Sequence, residues 1–337
     1  MRSLWGEIYL IQNNIETRAI VQVRSPDSSK KLAPLMLQSF VIGDFTSRNT
    51  SLKQTTPTAQ SPHSSIDSLI ARDDILTHQA QKKRKYMTAV VPSWNSPPEN
   101  LTLDINEIHV WRVSLAQAAS CVRTLAETLS TDEQTKAERF HFPKDRSQFI
   151  VTRGALREIL SRYLHINPSH LSFEYNPYGK PSLIVAQSGD TLRFNLSHSH
   201  ELGLIAITKN RDIGVDIERI NPNFPCLEIA EKFFSPLENT VLRSLSEHLQ
   251  NPAFFTCWTR KEAYIKAVGK GLSIPLNQFD VTLAPGEPAA LLNVEQNPEE
   301  SSKWSLIELM PCSDIVGAVA VAGDCSKLHC WQWTAKF

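Results

Sequence analysis

Asp216 and Glu218 stand two apart in the stretch Ile213-Gly214-Val215-Asp216-Ile217-Glu218. On a strand that spacing projects both carboxylates from one face. Ile213, Val215 and Ile217 take the opposite face, which should be core. Two acids aimed the same way repel unless a cation lies between them, and hard oxygen ligands suit magnesium. The competing reading is the solvated polar face of an edge strand. A third acid comes from a helical stretch, Phe254 to Lys266, where Trp258, Glu262 and Lys266 follow at i, i+4 and i+8 and form one stripe. An exposed Glu–Lys pair is commonly a surface ion pair worth about 0.3–0.5 kcal/mol. Here the stripe also carries a tryptophan, and the helix runs into Gly269-Lys270-Gly271, a stop rich in backbone donors.

Two further groups could meet phosphate. In Tyr178-Gly179-Lys180-Pro181, Lys180 follows a turn, where its ammonium can reach outward. In Asn195-Leu196-Ser197-His198-Ser199, Ser197 and His198 place a hydroxyl and an imidazole near the end of a strand. Such donors commonly meet phosphate oxygens. A satisfied structural histidine is the plainer account of His198. Acyl transfer by a Ser/His pair is weakly supported, because no G-x-S-x-G elbow surrounds Ser197.

The elements that must position these residues begin near Leu103. Residues 108–113 alternate as a half-buried strand. Ser130 and Glu133 fit a capping box that opens a helix reaching Phe140. A longer helix is predicted over 145–164, with Phe149, Ile150, Leu156, Ile159, Leu160 and Tyr163 on its apolar side. Strands follow at 173–175, 182–186, 192–196 and 203–208, with a turn at Asn176–Gly179. The second half opens on the 213–218 strand. Helices are expected at 226–233, 236–249 and 252–268, and strands at 279–283, 304–309, 315–321 and 328–333. Both halves mix helices and short strands, which is α+β logic and not the regular alternation of a doubly wound sheet. Two similar α+β lobes side by side, residues 101–210 and 211–337, are the expected architecture.

The 337-residue chain carries 35 basic and 35 acidic side chains, which argues against a general nucleic-acid or membrane-surface binder. Its six cysteines form no CxxC pair and no regular framework, so reduced thiols in a cytoplasmic protein are expected. No run of about 18 apolar residues could span a membrane. The opening segment has no signal-peptide pattern. Residues 1–86 hold 12 Lys/Arg against 7 Asp/Glu, and 11 of the 23 residues from Thr46 to Ser68 are Ser or Thr. Such text cannot bury enough apolar surface to offset its ordering entropy. Residues 1–100 are therefore expected to be a mostly disordered extension, with a weak strand at 17–23. Met87, just after the basic run Lys82–Lys85, reads as an alternative start.

Taken in order, YGKP, FNLSHS, GVDIE, FFSPLE and WTRKEAYIKAVGKGL resemble the surfactin-type 4′-phosphopantetheinyl transferases over roughly residues 105–285. The GVDIE and WTRKEAYIK blocks are specific as a pair. The resemblance implies a pseudo-dimer of two α+β lobes with coenzyme A in the cleft between them. It implies that Asp216, Glu218 and Glu262 hold Mg²⁺, and that Lys180, Ser197 and His198 contact the nucleotide phosphates. Lys266 would help neutralise the pyrophosphate. Lys136 lies where the family often has a base near the 3′-phosphate, and Arg153 and Arg157 where it carries arginines that would help bind the phosphates of coenzyme A. Gly214 would serve close packing at the lobe junction.

The implied reaction transfers phosphopantetheine from coenzyme A to a serine of an apo acyl or peptidyl carrier protein and releases 3′,5′-ADP. It would serve fatty-acid, polyketide or nonribosomal peptide assembly. Glu262 would act as base with an ordinary carboxylate pKa, about 4.3. A non-catalytic carrier-binding module with the same fold is the alternative, and a metal-dependent phosphodiesterase is a weaker one. An internal pseudo-dimer has little need of a partner subunit, so a monomer is expected.

Overall fold

The computed structural model describes residues 8–13, 16–21, 35–36, 93–184, 191–295 and 297–335. Most of the extension, Met87 included, lies outside the described residues. Within it, strands β1 (Ile8–Asn13), β2 (Glu16–Val21) and β3 (Leu35–Met36) form an antiparallel sheet in that order. The weak strand expected at 17–23 corresponds to β2.

The first lobe starts with β4 (Glu107–Ser114) and three helices: α1 (Ala119–Glu127), α2 (Thr131–Glu138) and α3 (Pro143–Leu164). A hairpin of β5 (Phe173–Tyr175) and β6 (Pro181–Leu183) follows, then the long pair β7 (Leu192–Ser199) and β8 (Leu202–Lys209). The second lobe contains β9 (Ile213–Arg219), helices α4 (Cys226–Phe233), α5 (Pro236–Ser244) and α6 (Glu247–Val268), and the short pair β10 (Phe279–Val281) and β11 (Leu291–Val294). Strands β12 (Trp304–Cys312), β13 (Ile315–Ala322) and β14 (Lys327–Gln332) complete it in sequence.

In space the last strand belongs elsewhere. The first lobe's sheet has the order β14-β4-β8-β7, with β14 parallel to β4 and His329 opposite His109. A second lobe spanning 211–337 is thus corrected: its sheet is β12-β13-β9, and the chain's last strand returns to the first lobe. Local alternation shows that 327–332 is a strand but carries no information on its partner. The first lobe's packed chain also begins ahead of residue 101. Asn95 bridges to Trp331, and Leu101 and Leu103 are buried in that lobe's core.

Helix α6 starts five residues before the expected position. Pro252 sits inside it and costs only the bond its missing N–H would have made in the second turn. Helix α1 and strand β11 escaped the sequence reading: α1 is only nine residues long and β11 only four.

Three apolar clusters hold the layers. One joins α1 and α3 to the first sheet through Leu125, Leu156, Ile159, Trp111 and Phe194. A second joins α4–α6 to β13 through Phe254, Trp258, Ile265, Ala318 and Ala320. Between the sheets, Ile108, Val110, Leu204 and Ala206 of the first meet Ile213, Val215, Ile217 and Val319 of the second. Strands buried on both faces read as continuous apolar runs, as in Ile315–Ala322. The odd residues of β9 therefore face core, as their spacing predicted, and the even residues Asp216 and Glu218 face α6.

Candidate active site

The site forms where the edge strands of the two sheets, β7 and β9, run side by side. They are joined by side chains of β7 at alternate positions. Asn195 Oδ1 accepts from Val215 N at 2.9 Å, Ser197 Oγ donates to Asp216 Oδ1 at 2.9 Å, and Ser199 Oγ donates to Glu218 Oε2 at 3.1 Å. The Arg219 N–H donates to Ser199 Oγ at 3.2 Å. Residues 195, 197 and 199 share a strand face. Asn195 and Ser199 were missed as site residues, although that period of two could have found them. The same pleat separates Ser197 from His198. His198 lies on the face of Phe194 and Leu196, the face that packs into the first lobe's core.

Helix α6 lies directly on β9 because Gly214 has no side chain. A Cβ there would stand 2.1 Å from the carbonyl oxygen of Ala263 and 2.4 Å from the Ala267 nitrogen. The close packing expected of Gly214 thus occurs between strand and helix inside the second lobe. It lays Glu262 and Lys266 over the acids of β9. Lys266 Nζ donates to Asp216 Oδ1 at 2.7 Å and to Ser197 Oγ at 3.0 Å. Trp258, on the same stripe, is turned into the second lobe's core against Phe254.

Asp216 and Glu262 are 0% exposed and Glu218 5%. Burial pushes all three carboxyls up, and their proximity adds to it: Asp216 raises both Glu218 and Glu262, while Lys266 partly opposes the shift at each acid. The ordinary pKa expected for Glu262 is therefore corrected. Three of the acids' buried oxygens have no hydrogen-bond partner: Asp216 Oδ2, Glu262 Oε1 and Glu262 Oε2. Buried acceptors are almost always satisfied, so three orphans in one place indicate a ligand that brings positive charge or protons. An all-oxygen donor set with surplus negative charge fits a hard divalent cation. The three acids are not drawn as close as the ligand atoms of Glu107, His109 and His329, the group among the described residues that lies within 4.8 Å. Lys266 holds Asp216, and like charges spread the rest.

The other expected phosphate donors are placed differently. Arg153 and Arg157 are both buried on Glu133. Arg153 Nε donates to Glu133 Oε1 and Arg157 Nε to Glu133 Oε2, each at 2.7 Å. Arg157 also donates to the carbonyls of Pro168 and Leu171, and Arg153 to the Tyr175 hydroxyl. Glu133 fulfils its helix-start part as well, accepting from Ser130 N at 3.1 Å. Lys180 is likewise engaged by the chain's own groups. Its ammonium donates to the carbonyls of Ala267 at 2.8 Å and Ile213 at 3.1 Å, and burial lowers its pKa to about 8. Together with Asn176, whose amide donates to Gly269 O at 2.7 Å, it ties the hairpin turn of the first lobe to the end of α6. Lys136 is half-buried on α2, its ammonium 5.8 Å from the centre of the Phe149 ring.

A two-lobe α+β fold with a buried acid cluster at the lobe junction defines a class of group-transfer enzyme, and the comparisons identify it. Residues 212–320 match the 4′-phosphopantetheinyl transferase superfamily, and residues 110–210 match the 4′-phosphopantetheinyl transferase N-terminal family. The 4′-phosphopantetheinyl transferase HetI of Nostoc sp. is 42% identical over 247 residues, covering 73% of this chain and 97% of that protein. A putative 4′-phosphopantetheinyl transferase of Synechocystis sp. is 36% identical over 53% of this chain and 70% of its own length. The Sfp transferase of Bacillus subtilis strain 168 is 34% identical over 46% and 66%. The chain belongs to the 4′-phosphopantetheinyl transferase family. It is an enzyme that transfers 4′-phosphopantetheine. No helix among the described residues is long and apolar enough to cross a membrane.

Proposed function

We propose that the junction site takes coenzyme A with a magnesium ion and passes its phosphopantetheine to the serine hydroxyl of an apo acyl or peptidyl carrier protein, with 3′,5′-ADP leaving. The carrying observation is the set of orphaned oxygens on Asp216 and Glu262 beside the Lys266 ammonium. Asp216, Glu218 and Glu262 are the residues that would hold the ion. Bound there, it would supply Lewis-acid stabilisation of charge on the pyrophosphate oxygens.

The remaining work falls to the chain's own side chains. Lys266 is anchored to Asp216 and Ser197 and is only partly exposed, so its third N–H can meet a phosphate oxygen without the cost of ordering a loose lysine. Glu262, buried and with both oxygens unpartnered, accepts the proton of the attacking serine, directly or through a water. Ser197 and Ser199 hold Asp216 and Glu218 in place, and a free hydroxyl lone pair is not demanded of either. Lys136 and His198, half-buried on the first lobe, are the donors we assign to the nucleotide phosphates. The protein acts as a monomer in the cytoplasm in this reading.

The test combines the full chain, coenzyme A, Mg²⁺ and several apo carrier proteins, and reads the carrier by mass. Transfer adds about 340 Da, the covalent mark of the attached group. Carrier binding without that gain, on every carrier tried, would replace the transferase with a binding module.

A further inference from the structure

A second cluster of ligand-type side chains lies in the first lobe, where the last strand docks. Glu107 and His109 are two apart on β4 and share a face, and His329 of β14 stands opposite His109 in the parallel ladder. Their ligand atoms lie within 4.8 Å of one another. Glu107 and His109 are buried, at 7% and 2% exposure, while the His329 side chain is 41% exposed. His109 Nε2 is 3.9 Å from Glu107 Oε2, and His329 Nε2 is 3.8 Å from Glu107 Oε1. Both separations exceed a hydrogen bond. The three groups face one another without bonding.

The surroundings suit a metal ligand at His109. Its Nδ1 is 2.7 Å from the Tyr163 hydroxyl, which also accepts from Trp111 Nε1 at 2.9 Å. An ion on Nε2 obliges the imidazole to carry its proton on Nδ1, and the Tyr163 oxygen is placed to accept it. Ligating histidines usually have such a partner behind them. Burial works against ionisation of Glu107. The Asp104 N–H and Lys327 outweigh it and leave the pKa below the ordinary carboxylate value. Lys327 Nζ occupies Glu107 Oε1 at 3.1 Å, and its exposed side chain can withdraw into solvent.

We infer that Glu107, His109 and His329 form a binding site for a divalent transition-metal ion of the zinc class, separate from the acid site, which staples strand β14 to β4. Two imidazoles and one carboxylate favour such an ion over magnesium. The half-exposed His329 provides the entry path, and modest rotation of its ring closes the ligand atoms towards bond lengths of about 2.0–2.2 Å. The ion would clamp the pairing that brings the end of the chain back to the first lobe.

The full-length protein is loaded with Zn²⁺ in buffer containing excess Mg²⁺, dialysed, and assayed for metal content and melting. About one zinc per chain should stay bound, and the melting midpoint should rise by about 5 °C, as expected for a ligand well above its Kd. His329→Ala alters an accessible ligand and should keep its fold and transferase rate while losing both the zinc and the shift. Lys327→Ala removes the competitor at Glu107 and should tighten zinc binding several-fold. Bound Co²⁺ should show visible ligand-field absorption in the wild type and not in His329→Ala. Zinc retention and melting that are equal in wild type and His329→Ala would overturn the assignment, as would failure of the wild type to retain zinc.

Discussion

In the first lobe one buried carboxylate, Glu133, faces two buried guanidiniums, those of Arg153 and Arg157. At the lobe junction the balance is reversed, with Asp216, Glu218 and Glu262 facing the single ammonium of Lys266. The surplus positive charge of the first cluster is met inside the protein by the carbonyls of Pro168 and Leu171, the Tyr175 hydroxyl and the Phe173 ring. One nitrogen, Arg157 Nη2, is left without a partner. The surplus negative charge of the second cluster is met by two serine hydroxyls, and three carboxylate oxygens remain orphaned. A charge cluster closed by the chain's own backbone holds structure together. The one left open, at a cost in burial, is the cluster we propose for the ion.

The sharpest way to break this contrast is to neutralise each cluster in turn. Glu262→Gln keeps shape and removes charge and basicity, so turnover should fall on the order of 10²–10⁴-fold. Because it also relieves buried like-charge repulsion, its melting midpoint should equal or exceed the wild type's. Asp216→Ala should also lose most turnover across a full Mg²⁺ titration. Wild-type rates in either variant would remove the junction from the mechanism.

Glu133→Gln should do the opposite. It leaves two buried guanidiniums uncompensated, which costs about 3–5 kcal/mol. For a body of this size, that lowers the melting midpoint by about 10 °C. The KM for coenzyme A of the molecules that remain folded should stay near wild type. A raised KM at unchanged stability would return the arginines to the phosphate-binding role that the resemblance first implied.

The reason the Glu133 pairing could not be foreseen is physical. Residue type and spacing show that Arg153 and Arg157 share a helix face one turn apart. They do not show that Glu133, on another helix, lies on that face. The acids were legible because β9 and α6 each carry their own period, so the shared face of Asp216 and Glu218 and the stripe of Glu262 and Lys266 follow locally. Gly214 was legible as a close approach, though not which elements approach. The partner of β14 was not legible at all, because a parallel ladder between Glu107 and Lys327 joins residues more than two hundred positions apart.

Intermediate effects test the frame around the junction. Gly214→Ala inserts a Cβ into the backbone of α6, so strand and helix must separate. Overpacking of this kind costs about 1–3 kcal/mol, and the shift of Glu262 should lower turnover with it. A fully active, equally stable Gly214→Ala protein would show that the closeness of α6 to β9 is incidental. Lys266→Ala and Lys180→Ala then divide two lysines of one neighbourhood. The first should raise the KM for coenzyme A and lower the rate, since in the proposed function its ammonium meets phosphate. The second should act on melting, since its ammonium is spent on the carbonyls of Ala267 and Ile213. Identical kinetic profiles for the two would dissolve the distinction.

The smallest effect is expected from removing residues 1–86. The match to the Nostoc transferase spans 97% of that protein in 247 residues, so about 90 residues of this chain have no counterpart there. Among the described residues, the body makes several contacts just downstream of the cut. Asn95 pairs with Cys330 and Gln332 through its backbone, Arg162 reaches the Pro98 carbonyl, and Leu101 and Leu103 enter the first lobe's core. A chain beginning at Met87 keeps every one of these, together with both charge clusters. Text rich in Ser and Thr buries little, and a segment that buries little can be removed at little cost. The shortened protein should therefore melt in one cooperative step within a few degrees of the full chain and transfer phosphopantetheine at a similar rate. A midpoint lower by more than about 8 °C would correspond to lost packing on the order of 2 kcal/mol. That result would mean the extension covers part of the body, with Trp5, Ile8, Tyr9, Leu10 and Ile11 the apolar residues to substitute next.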